Sequence, residues 1–360
     1  NKKGLVMKKI FSNIFGIILT GSFIGIVVIL LQFYGNPANM GICMACFERD
    51  IVGAIGMHRA LQVQYIRPEI VGIILGSLIS SIMAKEFIPK GGSSATIRFF
   101  LGFFAMIGAL VFLGCPWRAI LRIGGGDLNG ITGIAGFGTG IFIGTLFLKK
   151  GFSLGKSSII PHKAAGLVMP AFLSGLLFLL IINFPKLLLS AKGPGSMRAP
   201  LILSLSGGLI IGILAQKSRF CTMGAIRDIF IIKNFLRFFG ILSFLVTVII
   251  GNIITGKLNF GFTGQPAAHT MHLWNFLGMV LCGLAFLLSG GCPGRHLILA
   301  GEGNSDSSVF VLGMFFGAAC AHNLGSASNG KGTGPYGEIA VILGILFCLS
   351  IGFFMVDKRK

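Results

Sequence analysis

Cysteine and arginine recur together in this chain at a fixed interval. Gly114-Cys115-Pro116-Trp117-Arg118 returns as Gly291-Cys292-Pro293-Gly294-Arg295, an offset of 177 residues. Cys43, followed six residues later by Arg49-Asp50-Ile51, returns as Cys221 followed by Arg227-Asp228-Ile229, an offset of 178. Two thiol-and-guanidinium motifs kept in register point to an internal duplication, and their polar residues mark where chemistry lies. A thiol is soft and polarizable, and as thiolate it attacks, exchanges disulfides or binds metal. A guanidinium is a permanent cation that attracts anions. Pro116 and Pro293 suit the first turn of a helix, which puts Cys115 and Cys292 at helix N-termini, where free N–H groups favour an anion.

The alternatives can be weighed residue by residue. Cys282, Cys320 and Cys348 have no counterpart in the other copy and read as packing residues. Structural disulfides are not expected among thiols buried in a membrane. A symmetric metal site needs a His or carboxylate in both copies, and none is matched, so no metal is expected. Cys43-Met-Ala-Cys46 is a CxxC, the spacing that tunes thiols for exchange, but Cys46 aligns with Gly224 and no second loop pair completes a relay. Arg49 and Arg227 are each followed by an aspartate, which leaves local pairing and a cavity-facing role both open. Arg118 and Arg295 have no adjacent matched carboxylate and are expected to attract anions at two pore mouths, whereas Arg122 and Arg219 are expected at the interface. Gly124-Gly125-Gly126-Asp127 follows no strand, so it is not a dinucleotide fingerprint. It reads as a sharp bend ending a half-helix, and no cofactor is expected. His296 reads as polar packing before proton relay, and the ten acidic residues offer no evident sodium site.

The elements that must hold these residues are set by composition. Of 360 residues 54% are hydrophobic and 11% charged, with mean hydropathy +0.89, whereas about a quarter of a soluble domain is charged. Ten apolar stretches approach the ~20 residues needed to cross a bilayer: 11–33, 68–85, 97–113, 128–148, 164–184, 200–216, 236–256, 273–290, 307–321 and 338–356. The ninth is short enough to span only in part. The 55 glycines suit closely packed membrane helices. The net charge of +20 belongs to loops beside apolar segments and follows the positive-inside rule; a nucleic-acid partner is not expected. The N-terminal lysines, Lys85, Lys149, Lys150, Lys217 and the basic C-terminus fall on one side of alternating spans, which places both termini on the cytoplasmic side of the membrane.

The expected fold class is an all-α polytopic membrane protein with nine or ten transmembrane helices. The first repeat covers 10–148, a cytoplasmic loop and linking helix 149–187, the second repeat 188–325, and a C-terminal helix 326–360. Four spans plus one linking span is an odd number, so the second copy enters the membrane inverted, an architecture of many transporters. The Cys motifs lie in short Gly-broken, charged stretches, each expected to be a re-entrant half-helix.

Both Gly-Cys-Pro-x-Arg motifs, Arg219-Phe220-Cys221-Thr222-Met223-Gly224 and Gly41-Ile42-Cys43-Met44-Ala45-Cys46 together resemble the YeeE/YedE family of sulfur-compound transporters. The CxxC is most similar to the YedE branch, described as selenium transporters. The resemblance implies an inverted-repeat membrane protein whose central cysteines pass a sulfur anion along a narrow path by S–H···S contacts without covalent attachment. Carried over by motif, Cys43, Cys115, Cys221 and Cys292 line that path, with Cys46, Gly114, Gly291, Arg118 and Arg295 completing the site. Cys46 departs from the duplicated pattern and leaves room for a selenium compound. The expected function is therefore inward transport of a small inorganic sulfur or selenium anion, not catalysis. A cytoplasmic sulfurtransferase or selenium-handling partner is compatible with it. The competing reading is a membrane thiol-disulfide oxidoreductase using Cys43 and Cys46, since Cys43-Met-Ala-Cys46-Phe-Glu-Arg49 is similar to a stretch of the quinone-linked disulfide oxidoreductases.

Overall fold

In lipid every backbone N–H and C=O must find its partner within the chain, and a helix does this within one segment. The computed structural model describes residues 13–356, and among them the apolar stretches are helices. The four N-terminal lysines, Lys358, Arg359 and Lys360, which bear on the chain's orientation, lie outside the described residues. Among the described residues ten helices are long: α1 (Ile14–Phe33), α3 (Pro68–Met83), α4 (Ala95–Phe112), α6 (Asn129–Lys149), α7 (Ala164–Ile181), α8 (Leu201–Ser218), α10 (Leu236–Ile254), α11 (His272–Ser289), α13 (Ser305–Asn323) and α14 (Gly337–Phe354). Four are short: α2 (Met44–Ala54), α5 (Pro116–Gly124), α9 (Thr222–Ile232) and α12 (Pro293–Gly301). The only strands among the described residues are β1 (Lys90–Gly91) and β2 (Ser158–Ile159), a two-residue antiparallel pair.

All ten predicted spans are long helices, with ends differing by three residues at most. Eight helical segments are long and apolar enough to cross a membrane. The two long helices outside that set are α3, of 16 residues, and α13, which carries Ser305, Asp306, Ser307 and Asn323. A helix enclosed by other helices need not be as apolar as one facing lipid. α13, read from sequence as only partly spanning, runs 19 residues.

The halves pack by exchange. α3 lies along α8, and its counterpart α10 lies along α1; α6 lies along α11, and α13 along α4. α4 and α11 also pack on each other. Swapping the halves leaves this set of pairs unchanged, the signature of a two-fold relation, in which each contact has its reciprocal. Small residues allow the approach. A Cβ on Gly208 or Gly212 would stand 2.3 and 2.2 Å from the carbonyl oxygens of Glu69 and Ile73. On α6, Gly136 and Gly140 lie equally close to the carbonyls of Phe276 and Val280, at 2.2 and 2.1 Å.

Candidate functional site

The four matched cysteines occupy one kind of position. Cys43, Cys115, Cys221 and Cys292 are the N-cap residues of α2, α5, α9 and α12. Two residues before each, the backbone turns left-handed: Gly41 (φ 39°), Leu113 (φ 64°), Arg219 (φ 56°) and Gly290 (φ 93°). That turn stops the preceding chain and aims the cysteine down the axis of the following short helix. The expected bend after the second motif is also there, at Gly126 and Gly303, with φ of 90° and 93°. A residue with a side chain rarely adopts this conformation, which explains the repeated glycine.

Within each copy the two caps meet. Cys43 Sγ lies 3.8 Å from Cys115 Sγ, and Cys221 Sγ lies 3.7 Å from Cys292 Sγ. Cys43 and Cys221 also accept the N–H three residues on, from Cys46 and Gly224, each at 3.3 Å. Cys115 and Cys292 are followed by proline and make no side-chain cap bond. Cys46, the unmatched thiol, stands 2.8 Å from Cys43. All five are buried and none is in a disulfide. Cys282 and Cys348 are buried and Cys320 is half-buried, and Cys282 donates to the Ala105 carbonyl at 3.3 Å.

The two thiol groups adjoin through a Trp–Gly pair. Trp117, two residues after Cys115, packs edge-on to Phe220, the neighbour of Cys221, at 5.5 Å between ring centroids. Its copy-two counterpart is Gly294, and a Cβ there would sit 3.5 Å from both the Trp117 ring and the Met44 methyl. Equivalent residues near a two-fold crowd each other, so one large and one absent side chain fit where two indoles would not. The Trp117 indole N–H is buried with no hydrogen-bond partner among the described residues. A buried unpaired donor is costly, and this one could bond an acceptor placed between the groups.

Cations treat the two ends differently. Arg118 is fully buried and makes no ion pair among the described residues. It donates to the carbonyls of Leu113, Asn39 and Ala267 and to Cys46 Sγ at 3.5 Å. It also lines a cavity of about 660 Å³ together with Arg49 and His322. Arg49 pairs with Asp50 at 2.7 Å, and Arg67 takes the other oxygen of Asp50 at 2.7 Å. Copy two repeats the arrangement as Arg227–Asp228–Arg237, at 2.8 and 2.9 Å. Arg295, by contrast, is bridged to Glu302 at 3.2 Å, and Glu302 also holds Arg219, which holds Glu86. Gly114 and Gly291 leave room for the arginines to fold back: a Cβ would meet Arg118 Cδ at 2.6 Å and Arg295 Cγ at 3.3 Å.

Several features differ from the sequence reading or escaped it. Arg122 is not interfacial. It is fully buried, pairs with Asp127 at 2.6 Å and lies over the Phe112 ring, because a guanidinium at this depth must be matched by an acid and an aromatic face. His296 is polar packing, held between Ser289 and Ser307 at 3.1 and 3.2 Å. Arg67 and Arg237 gave no repeat signal because they stand 170 residues apart rather than 178. The unmatched Glu302 and Glu48 gave none either, although Glu48 lies only two residues beyond the CxxC.

A polytopic helical membrane protein with broken segments meeting inside it belongs to the transporter class. Residues 217–355 match the family described as Sulphur transport, a stretch that holds the Arg219–Gly224 and Gly291–Arg295 motifs. A further 29% identity over 107 residues links the chain to the thiosulfate transporter TsuA of Escherichia coli (strain K12). That alignment spans 30% of each protein's length.

Proposed function

We propose that the protein transports a small sulfur or selenium anion of the thiosulfate type inward, through the two adjoining thiol groups. The observation that carries this reading is the continuity of soft donors from the cavity inward. Arg118 reaches Cys46 at 3.5 Å, Cys46 reaches Cys43 at 2.8 Å, and Cys43 reaches Cys115 at 3.8 Å. Trp117 then adjoins the Cys221–Cys292 pair. Thiols hold a chalcogen anion weakly, which suits passage, since a path must bind well enough to admit an ion and loosely enough to release it. The inverted halves would put these groups near the midplane, with the cavity on the outer side and both termini in the cytoplasm. A cytoplasmic sulfurtransferase or selenium-handling partner would take the anion on release.

The decisive test is uptake of labelled thiosulfate into proteoliposomes, with selenium-containing anions as competitors, for the wild type and Cys292→Ala. Uptake that falls about tenfold in Cys292→Ala, the order of one charge-assisted hydrogen bond lost, supports the thiol path. Equal uptake by both proteins refutes it. The 2.8 Å approach of Cys43 and Cys46 favours a second reading, thiol-disulfide exchange. That chemistry would need Cys43 and Cys46 and be indifferent to Cys292.

A further inference from the structure

Glu48 sits two residues beyond Cys46 on α2 and is fully buried. Neither carboxyl oxygen has a hydrogen-bond partner among the described residues. Every other described acidic residue has one: Asp50, Asp127, Asp228, Glu86 and Glu302 pair with arginine. Glu69 and Asp306 bond serines, and Glu338 bonds Thr333. Copy two has Ile226 at the matching position, so the duplicated scaffold does not require an acid there.

The surroundings narrow what Glu48 can bind. Its helix packs against α13, α4, α12 and α3, and the arginines and acids of those elements are engaged elsewhere. The His322 ring lies 4.5 Å from the His58 ring, tilted by 35°, with its Nε2 unpartnered among the described residues; Arg98 donates to Ser93 and Ser289. Arg295 is on Glu302, and His296 lies between two serines. Glu69 holds Asn36 and Ser204, and Arg67 holds Asp50. On α2 itself Arg49 is paired with Asp50. Glu48 lies one turn after Met44 on the same face of α2, and the Met44 methyl stands 3.5 Å from where a Cβ on Gly294 would lie, at the junction of the two thiol groups. An isolated buried carboxylate is very costly, whereas a neutral carboxyl is not. Hard metal cations collect several oxygens, and Glu48 offers only its own two.

We propose, resting on the transport reading above, that Glu48 is a proton-binding site that loads with the passing anion, one proton accompanying each anion across. The carboxyl takes its proton from hydronium of the outer medium and keeps it while the anion is between the thiol groups, because two negative charges cannot share that apolar space. It gives that proton to water of the inner medium as the anion leaves, so the carboxylate forms only where water reaches it. Only the O–H bond forms and breaks, and no electron moves. Proton and anion affinities are then reciprocally linked.

The test uses labelled thiosulfate uptake into proteoliposomes at clamped potential, with and without an inward proton gradient. Wild-type uptake should rise severalfold with the gradient. Glu48→Gln, which fixes the neutral form, should lose that response while still exchanging labelled for unlabelled thiosulfate. Wild-type uptake indifferent to the gradient, uptake following sodium instead, or a Glu48→Gln variant that keeps the response each overturns the proposal. If Glu48→Gln does not fold, wild-type vesicles decide: an internal pH indicator should report about one proton entering per thiosulfate taken up, and none refutes the assignment. Uptake without proton linkage sinks this proposal alone, whereas no uptake under any gradient sinks the transport reading and the proposal with it.

Discussion

A thiol capping a short helix has two demands on it, the helix N–H groups behind and the neighbouring thiol ahead. Cys115 and Cys292 make no side-chain cap bond, and these two sulfurs face Cys43 and Cys221. The arginines following them look equivalent in sequence and are not. Arg118 faces a cavity with its charge unneutralised by any described carboxylate, and Arg295 is bridged to Glu302. Arg118→Gln is therefore expected to weaken the apparent affinity for thiosulfate, with the loss concentrated at low substrate, because electrostatic focusing raises local anion concentration. Arg295→Gln should have a smaller effect on affinity and lower thermal stability, since it leaves Glu302 with one partner fewer. Uptake measured across substrate concentrations separates the two; equal affinity loss in both variants contradicts the assignment. The repeat made the cysteines and arginines legible, but the difference between Arg118 and Arg295 was not, because Glu302 lies where copy one has Gly125.

Long helices were the most legible elements. Each of the ten predicted spans is a helix, because a run of apolar residues crossing lipid has no other way to satisfy its backbone. The half-helices were visible in outline from Pro116, Pro293 and the triple glycine, but the left-handed turn two residues ahead of each cysteine was not. Leu113 and Arg219 adopt it without being glycine, so composition carried no signal. Packing between helices was equally hidden, since 55 glycines look alike until their neighbours are known. Gly212→Ala places a methyl 2.2 Å from the Ile73 carbonyl oxygen, forcing α3 and α8 apart, and should lower the melting temperature of the detergent-solubilised protein. Gly138 on α6 has open space for 4 Å around the point where an alanine methyl would stand. Gly138→Ala should therefore leave that temperature unchanged or raise it, through a gain of up to ~1 kcal/mol in helix propensity. Differential scanning fluorimetry reads both, and a reversed order of the two variants contradicts the packing described.

For the whole molecule, two halves exchange partners about a common centre, yet the residues at that centre differ: Trp117 against Gly294, Cys46 against Gly224, Glu48 against Ile226. A symmetric frame thus holds an asymmetric route. The orientation proposed for it has a direct check. Lys331→Cys and Lys150→Cys both introduce exposed thiols, and on intact cells a membrane-impermeant maleimide should label the first and spare the second. Labelling of Lys150→Cys alone inverts the assignment.

The cavity beside Arg118 has an electrical consequence. In the orientation proposed above it would carry the outer medium inward to a guanidinium that touches Cys46, thinning the insulating part of the protein to the stretch of buried thiols and indole beyond. A membrane potential then falls mainly across that stretch, where each elementary charge moved through 100 mV costs or gains about 2.3 kcal/mol. For an anion entering a negative interior this work is uphill. The short path from Cys46 to Cys292 is where the voltage must be overcome, and where any accompanying positive charge has the greatest leverage.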